Sequence, residues 1–411
     1  MEKQQPLTSL GGRLKHWAGH LNTYTALIKE WGYSRGSIQN QVRLISGFLT
    51  WFRKSHTEID SLDEAAVHRF LQRPQNARRT RSSGTAALYR FLRMLREQGV
   101  IPPQKQRPLS PQQRLIKNYV RYLLEERGLT RATAANNVPF ADRFLSALSA
   151  KYRGSGLALA QLRAADVTEF VRQQSQKLSP GRAQLLVTAL RSFFRYLLHQ
   201  GKIKTDLAVC VPTVARWSFS TLPKFLPTSS VERVLARNMR PSPIGRRDYA
   251  ILLLLSRLGL RACEVVALNL EDIDWENARI TIRAKGGRWN QLPLPADVGE
   301  ALASYLRHVR PRCSSRRMFI RDRAPQTGFA GSQSICALVR RALSTAGVES
   351  PRKGAHLFRH SLATTMIRQG SSLDEIGELL SHRSPNTTAI YAKVDLPALR
   401  PLALPWPGGV R

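Results

Sequence analysis

The stretch HLFRHSLATTM at residues 356–366 combines the spacing of a buried helix with ionisable side chains. Its apolar residues recur at intervals that place several of them on a common side of a helix: Leu357, Phe358, Leu362 and Met366. His356 and Arg359 are three residues apart, so in a helix they project from the same face, one turn above the other. The stretch therefore predicts a core helix that presents a histidine and an arginine together.

The composition indicates a polyanionic partner. The chain has 411 residues, of which 42% are hydrophobic, enough for two or three compact domains. Lys and Arg number 64 against 28 Asp and Glu, which gives a formal net charge of +36. Such a surplus is costly as self-repulsion, whereas neutralising phosphates releases their counterions and favours binding. Because the basic residues are spread along the whole chain, we expect nucleic acid as the partner, with membrane surface and acidic protein as weaker candidates.

The cysteines and the apolar runs exclude other classes. Four cysteines lie far apart, without a CxxC motif or a neighbouring histidine pair at metal-ligand spacing, so structural zinc and a disulfide framework are not expected. The segment MEKQQPLTSLGG at 1–12 lacks the apolar stretch of a signal peptide. The run YAILLLLSRLGL at 249–260 is shorter than a bilayer span. We therefore expect a soluble, cytoplasmic protein without a membrane partner.

Two proline-rich stretches divide the chain. IPPQKQRPLSP at 101–111 separates two helical segments, and VPTVARWSFSTLPKFLP at 211–227 precedes the C-terminal part. The predicted organisation is an N-terminal helical domain, a second helical domain, a linker, a C-terminal domain and an extended proline-rich tail, at 1–105, 106–210, 211–227, 228–395 and 396–411.

The two N-terminal helical segments resemble each other. KEWGYSR at 29–35 matches EERGLTR at 125–131, and REQGVI at 96–101 matches LHQGKI at 198–203. Two unrelated amphipathic bundles would share part of this spacing. Because the order, the loop glycines and the apolar positions all agree, we favour a duplication.

The C-terminal domain mixes helices with one strand-like segment. GLRACEVVALNLEDID at 259–274 has the periodicity of an amphipathic helix, with Arg261 and Glu264 on one face. ARITIRAKGGRWNQLPLP at 278–295 alternates apolar and polar residues around a glycine pair, which predicts a β-hairpin with Lys285 at its tip.

Taken singly, the ionisable residues of this domain have ordinary structural interpretations. Arg261 and Glu264 fit an exposed ion pair on a helix, worth about 0.3–0.5 kcal/mol. Lys285 fits a solvated turn lysine. His382 follows a helix end, where a cation can complement the dipole. Tyr391 ends SPNTTAIY, in which Ser384 can cap a helix, and its apolar neighbours fit a core position.

Taken together, these residues form a set suited to phosphoryl transfer: Arg261, Lys285, His356, Arg359, His382 and Tyr391. Two planar guanidiniums can bind the non-bridging oxygens of a phosphodiester through paired, charge-assisted hydrogen bonds. A lysine or histidine can protonate an alkoxide leaving group. A phenol, with a pKa near 10, ionises far more easily than serine and leaves a covalent aryl phosphodiester. Neither a metal nor another cofactor is then expected.

The motifs GLRACEVVAL, AKGG, HLFRHSLAT and LLSHRSPNTTAIY resemble, in that order, the conserved boxes of the tyrosine recombinases, also called the phage integrase family. The segment 110–205 is similar to the helical core-binding domain of that family. The resemblance implies a mainly α fold with a small β-hairpin or sheet in the catalytic domain, preceded by helical DNA-clamp domains. The chain departs from the family pattern at 1–105, where a duplicate of the clamp domain precedes the usual one.

The resemblance also implies a reaction. Tyr391 would be the nucleophile, and Glu264 would support Arg261. We assign His360 to structure or to the support of the residues that contact the phosphate. The enzyme would be a site-specific recombinase or integrase of a mobile element that cleaves double-stranded DNA through a 3′-phosphotyrosyl link. Four protomers would act on two duplexes, alone or with sister recombinases. Two alternatives are a type IB topoisomerase, which shares the chemistry, and a non-catalytic DNA-binding regulator.

Overall fold

The computed structural model describes residues 15–55, 58–73, 82–104, 108–152, 159–215, 223–283, 287–382 and 384–394. The chain divides into two compact units, Met1–Gln104 with Thr221–Arg411, and Lys105–Ser220. Most described residues are helical, and one small antiparallel sheet lies in the C-terminal part of the first unit. The predicted fold class, mainly α with a small sheet, is confirmed. Among the described residues, no helix is both long and apolar enough to cross a bilayer.

The N-terminal part of the first unit is a helical bundle. Its helices are α1 Lys15–Glu30, α2 Arg35–Lys54, α3 Glu64–Leu71 and α4 Ser82–Glu97, with a 3₁₀ turn at Ile59–Ser61. Buried aromatic rings, among them Tyr24, Phe48 and Phe91, form its core. The amide of Gln326 in the C-terminal part donates a hydrogen bond of 2.8 Å to the carbonyl of Trp31, at the end of α1.

The second unit has the same order of elements. It contains α5 Pro111–Arg121, continued by a π turn at Tyr122–Glu126, then α6 Arg131–Tyr152, a 3₁₀ turn at Leu159–Gln161, α7 Ala164–Gln176 and α8 Pro180–His199. Both bundles therefore run as two long helices, a 3₁₀ turn, a shorter helix and a final long helix. Arg35 and Arg131 are the first residues of the second helix in each bundle, and both side chains are exposed.

The C-terminal part of the first unit carries the sheet and the motif boxes. Its helices are α9 Thr228–Asn238, α10 Pro243–Arg257, α11 Ala262–Ala267, α12 Ala296–His308, α13 Ser332–Thr345, α14 His356–Arg368, α15 Leu373–Leu379 and α16 Pro385–Thr388. Two 3₁₀ helices, Leu270–Asp272 and Ala389–Val394, complete it. The apolar run of the sequence lies in α10, where residues 250–255 are all buried in the core of this domain.

The predicted β-hairpin is present. Strands β2 Arg279–Arg283 and β3 Trp289–Pro293 pair antiparallel, with Ile280 opposite Leu292. A third strand, β1 Ile273–Asp274, adds to the free edge of β2. Both members of the Ile280–Leu292 pair are buried, which explains the apolar alternation that the sequence displays.

The prediction of one helix over residues 259–274 is wrong. Helix α11 spans six of those residues, and the backbone becomes extended at Leu268. The carboxylate of Asp272 accepts a hydrogen bond of 2.7 Å from the Asn269 amide and fixes a 3₁₀ turn. Ile273 then enters the sheet as a buried strand residue. Helical and strand spacings overlap over such short apolar runs, so periodicity alone does not separate them.

Candidate active site

Helix α14 supports the first part of the site. Four of its apolar residues are buried and fix its position in the core: Leu357, Phe358, Ala363 and Ile367. His356 is its first residue and is exposed, whereas Arg359, one turn later, is only 4% exposed. The side chains of His356 and Arg359 therefore both lie at the N-terminal end of α14, but the histidine is exposed and the arginine is buried.

Arg359 joins three segments of the domain. One terminal nitrogen donates a hydrogen bond of 2.7 Å to the carbonyl of Gly259, and the other donates to the carbonyl of Leu380. Burial and the positive charge of Arg261 lower the pKa of Arg359 to about 10, so the side chain stays protonated at neutral pH. The guanidinium has five N–H donors, and these two contacts leave others for a ligand. Arg359 is therefore a buried arginine held by backbone carbonyls and not a surface side chain.

Arg261 and Glu264 form a pair that is mostly removed from solvent. Nη1 of Arg261 lies 2.8 Å from Oε1 of Glu264, and the side chains are 17% and 4% exposed. The other carboxylate oxygen accepts a hydrogen bond of 2.7 Å from the Arg261 amide, which caps α11. Because Glu264 is held by the start of its own helix, it fixes the direction of the guanidinium. The pair is not the exposed helix pair that spacing alone allows.

Gly259 allows this close packing. Its φ is +60°, in the left-handed region that favours glycine. A Cβ atom at this position would lie 2.7 Å from Cδ2 of Leu380 and 3.1 Å from Cδ2 of Leu362. The backbone at Gly259, whose carbonyl Arg359 binds, can therefore approach the middle of α14 and the end of α15 only because this residue has no side chain.

A matched pair of alanine variants tests this packing. Gly347 has a φ of +61°, but nothing lies within 4 Å of its would-be Cβ. Gly347→Ala should lower the free energy of unfolding by about 1–2 kcal/mol, the cost of a left-handed alanine. Gly259→Ala should lower the free energy of unfolding by about 1–3 kcal/mol more than Gly347→Ala does, because Leu380 must move. Denaturant unfolding measures both, and equal losses would contradict the packing constraint.

Tyr391 lies in the 3₁₀ helix that follows α16. As the sequence suggests, Ser384 occupies the N-cap of α16 and Pro385 its first turn. The tyrosine is 1% exposed and packs with Ala363 and Ile367 of α14. Burial raises the pKa of its phenol to about 12, although the charges of Arg359 and Arg261 act to lower it. The phenol is therefore protonated at neutral pH and lies within the field of both arginines.

His382 contacts the tyrosine segment from the end of α15. Its Nδ1 lies 2.8 Å from Oγ1 of Thr388, and its ring stacks nearly parallel to that of Tyr391, with 6.4 Å between the ring centroids. Loss of hydration and the positive charges of Arg359 and Arg261 lower the pKa of His382 to about 4. The side chain is neutral at pH 7, so it does not act as the helix-end cation that its position in the sequence allows.

Three histidines approach the site from two elements. His356 is exposed, and loss of hydration with the charges of Arg359 and Arg261 lowers its pKa. Its ring centroid lies 6.4 Å from that of His360. Nδ1 of His360 lies 2.9 Å from the hydroxyl of Tyr391. His360, which we assigned from the sequence to structure or to the support of catalytic residues, is therefore in contact with the oxygen expected to be the nucleophile.

Sequence periodicity could not place His360. The residue is four positions beyond His356 and shares a face of α14 with it, but helical spacing does not say which other element packs against that face. Its contact with Tyr391 joins residues 31 positions apart. Only the docking of the tyrosine segment against α14 creates this contact.

Lys285 lies outside the described residues. The strand that follows it is nevertheless anchored beside the site, because Nδ2 of Asn290 in β3 donates a hydrogen bond of 2.5 Å to Oγ of Ser381. Ser381 immediately precedes His382. In the described part of the chain, no three His, Cys, Asp or Glu side chains come together as a metal site would require.

Comparisons with known proteins identify the family. Residues 224–396 match the model of the Phage integrase family. The putative integrase/recombinase y4rA of Sinorhizobium fredii is 46% identical over 396 residues, which cover 95% of each chain. The chain belongs to the phage integrase family. The family predicted from the motif boxes is thereby confirmed, and so is the predicted activity of a tyrosine-type site-specific recombinase.

Other members of the phage integrase family match less of the chain. The tyrosine recombinase XerD of Listeria innocua is 30% identical over 288 residues, which cover 68% of this chain and 94% of XerD. The solved structure of XerH site-specific recombinase bound to difH substrate, in a pre-cleavage complex, aligns with a TM-score of 0.55 at 20% identity and covers 72% of this chain. That likeness shows the fold alone. The chain is thus longer than XerD by about the length of one helical bundle, whereas y4rA matches nearly all of it.

Proposed function

We propose that the chain cuts and rejoins double-stranded DNA at specific sites through a covalent link between Tyr391 and a 3′ phosphate. One observation carries the proposal: the tyrosine segment, the N-terminal end of α14 and the start of α11 converge, so that the phenol of Tyr391 lies within the electrostatic field of Arg359 and Arg261. The net charge of +36 supports a DNA partner. The link conserves the energy of the phosphodiester, so rejoining needs no ATP.

The two arginines bind the scissile phosphate in this proposal. Arg261, aimed by Glu264, and Arg359, held by two carbonyls, donate to the non-bridging oxygens, where negative charge grows during attack. Their fixed positions reduce the reorganisation that stabilising this charge would otherwise require. His356, exposed on the same end of α14, donates to the same phosphate.

The remaining members of the set, His382 and Lys285, orient the tyrosine and protonate the leaving group. His382 packs on the ring of Tyr391, contacts Thr388 and orients the nucleophile segment. Lys285, which the sequence places between β2 and β3, protonates the departing 5′ oxygen in this proposal. Asn290 anchors the hairpin to the turn that carries His382, which supports a shared site for Lys285 and Tyr391.

The assembly and the biological setting follow from the reaction. Exchanging two duplexes requires four strand cleavages, and each protomer carries one Tyr391, so four protomers act on two duplexes. The relative y4rA is named a putative integrase/recombinase, which supports an integrase or recombinase role for this chain. We propose that it serves a mobile element and acts in the cytoplasm.

A strand-exchange assay tests this function. Purified protein is mixed with two labelled duplexes that contain the DNA flanking its gene, without nucleotide and with a metal chelator. Recombinant duplexes with exchanged labels are the expected product. Relaxation of supercoiled DNA without exchange would favour a topoisomerase, and binding without any covalent complex would favour a non-catalytic regulator.

The two helical bundles are, in our proposal, duplicated DNA clamps, at 1–105 and 106–210. Their shared order of elements and their matching sequence segments support a common origin. The first residues of their second helices, Arg35 and Arg131, are equivalent in this alignment and exposed. An arginine is unfavourable beside the positive end of a helix dipole, so a phosphate contact would account for its presence in both bundles.

Single substitutions test the paired clamps. Arg35→Gln and Arg131→Gln should each reduce the slope of log affinity against log salt by about 0.9, the effect of one lost phosphate contact. The double variant should lose about twice that slope, as independent contacts do. Filter binding or fluorescence anisotropy at several salt concentrations measures the slopes. If only Arg131→Gln changes the slope, Arg35 makes no phosphate contact, and the N-terminal bundle has a different role.

A further inference from the structure

The contact between His360 and Tyr391 remains outside the six-residue set. Nδ1 of His360 lies 2.9 Å from the phenolic oxygen, and the ring centroids are 5.6 Å apart. Both side chains are held by the fold: His360 belongs to the central helix α14, and Tyr391 is buried in an apolar cluster. A ring nitrogen at hydrogen-bond distance from the attacking oxygen can accept its proton.

The other histidines are placed differently. The Nδ1 atom of His382 contacts Thr388, and its ring lies parallel to that of Tyr391 rather than in line with the hydroxyl. His356 is exposed at the start of α14. In the region that the structure describes, His360 is the histidine whose ring nitrogen reaches the phenolic oxygen.

At neutral pH the proton of this contact lies on the tyrosine, and the histidine is free to accept it. Burial, with the nearby charges of His356 and Arg359, lowers the pKa of His360 to about 4, so the ring is neutral at pH 7 and has a free lone pair. Burial raises the pKa of Tyr391 to about 12, so only about one phenol in 10⁵ ionises spontaneously at pH 7. An attack by the phenol is therefore helped by an acceptor that takes the proton as the new bond forms.

We infer that His360 is the general base of the reaction: its Nδ1 accepts the phenolic proton of Tyr391 as the phenolic oxygen attacks the scissile phosphate. This inference rests on the proposed function. The O–H bond of Tyr391 breaks, an O–P bond to the 3′ phosphate forms, and the P–O bond to the 5′ oxygen breaks. The 5′ oxygen receives its proton from the general acid, so no oxidant or cofactor enters. Rejoining reverses the steps, and protonated His360 returns its proton to the tyrosine.

The surroundings of His360 set its proton affinity. The titratable and charged groups that face it come from its own helix, the preceding loop, the end of α15 and the tyrosine segment: His356, Arg359, Arg352, His382 and Tyr391. The arginines lower the pKa of His360 in the DNA-free protein. A bound phosphate offsets these positive charges, so the imidazolium that forms during attack is less unfavourable on DNA.

The pH dependence of single-turnover cleavage tests this role. The substrate carries sulfur at the bridging 5′ position, because a thiolate leaves without an acid and exposes the nucleophilic step. Above pH 6, the full-length parent should cleave at a rate independent of pH, since its base is already neutral. His360→Asn retains an amide near the Nδ1 position but cannot take the proton. It should cleave about 10²- to 10⁴-fold more slowly at pH 7, with a rate that rises tenfold per pH unit to pH 9.

A purely positional role predicts another result. His360→Asn would then be slower by a constant factor at every pH, and that outcome would overturn the inference. A fluorinated tyrosine at position 391 has a more acidic phenol. It should raise the cleavage rate of His360→Asn by a larger factor than that of the parent. His308→Asn is the control, since His308 is an exposed histidine of α12 whose Nδ1 lies 2.9 Å from the carbonyl of Ser304. It should match the parent.

Two further measurements distinguish a failure of this inference from misfolding of the variants and from a failure of the proposed function. In the parent, the ¹⁵N spectrum of labelled histidines should place the proton of His360 on Nε2, and a proton on Nδ1 would overturn the inference even if the variants do not fold. A parent that forms no covalent complex with DNA would contradict the proposed function. A parent that forms the complex, with a pH-independent loss in His360→Asn, would contradict the inference alone.

Discussion

Tyr391→Phe should abolish the covalent protein–DNA complex and leave DNA affinity unchanged. The substitution removes one oxygen and almost no volume, and the remaining ring stays in the apolar cluster with Ala363, Ile367 and Ile376. The lost hydrogen bond to His360 should lower the free energy of unfolding by only about 1 kcal/mol. A nicked suicide duplex, separated on a denaturing gel, measures the complex, and anisotropy measures affinity.

Tyr305→Phe is the matched control for this loss. Tyr305 is also 1% exposed, and its hydroxyl accepts a hydrogen bond of 3.1 Å from the Ile320 amide, away from the site. Both variants lose one buried hydroxyl in the same domain, but only Tyr391→Phe should lose the covalent complex. Protein-linked DNA in the Tyr391→Phe variant would identify another nucleophile.

Lys285→Ala should cleave ordinary DNA about 10²- to 10⁴-fold more slowly than the parent, the usual effect of losing a general acid. An alcohol is a poor leaving group without a proton, whereas a thiol with a pKa of about 8.5 leaves as the anion. The same variant should therefore cleave a substrate with bridging 5′ sulfur nearly as fast as the parent. Single-turnover rates on both substrates measure the difference.

Lys285→Arg separates charge from proton transfer. Arginine keeps the positive charge but is too basic to give up its proton, so this variant should also be slow on oxygen and restored on sulfur. If sulfur restores neither variant, Lys285 binds or positions the phosphate, and His356 or His382 becomes the better candidate for the acid.

Local residue spacing was sufficient to predict the secondary-structure elements that have a strong periodic pattern. The alternation of Ile280 and Ile282 predicted the hairpin, and both residues are buried in the sheet. The three-residue separation of His356 and Arg359 predicted that both lie on one face of a helix, and both belong to the first turn of α14. The helix over 259–274 failed because Asp272 caps a 3₁₀ turn and Ile273 pairs with Ile280, two interactions that helical periodicity does not register.

The environment of the site residues required tertiary structure. Spacing gave Arg261 and Glu264 as neighbours, but the burial of Glu264 follows from the packing of α11 into the core. Likewise, no local pattern relates His360 to Tyr391, or Arg359 to the carbonyls of Gly259 and Leu380. These contacts shift the pKa values of the site, and the contact of His360 with Tyr391 supports the proton acceptor that we infer.

Mapping the covalent adduct tests the central claim most directly. The parent protein is trapped on a suicide duplex, digested with protease and analysed by tandem mass spectrometry, and the released DNA strand is tested for a 5′ end that a kinase can phosphorylate. We expect a nucleotide joined through its 3′ phosphate to the Tyr391 peptide, together with a free 5′-hydroxyl on the other strand segment. An adduct on any other residue, or a link through the 5′ phosphate, would contradict it.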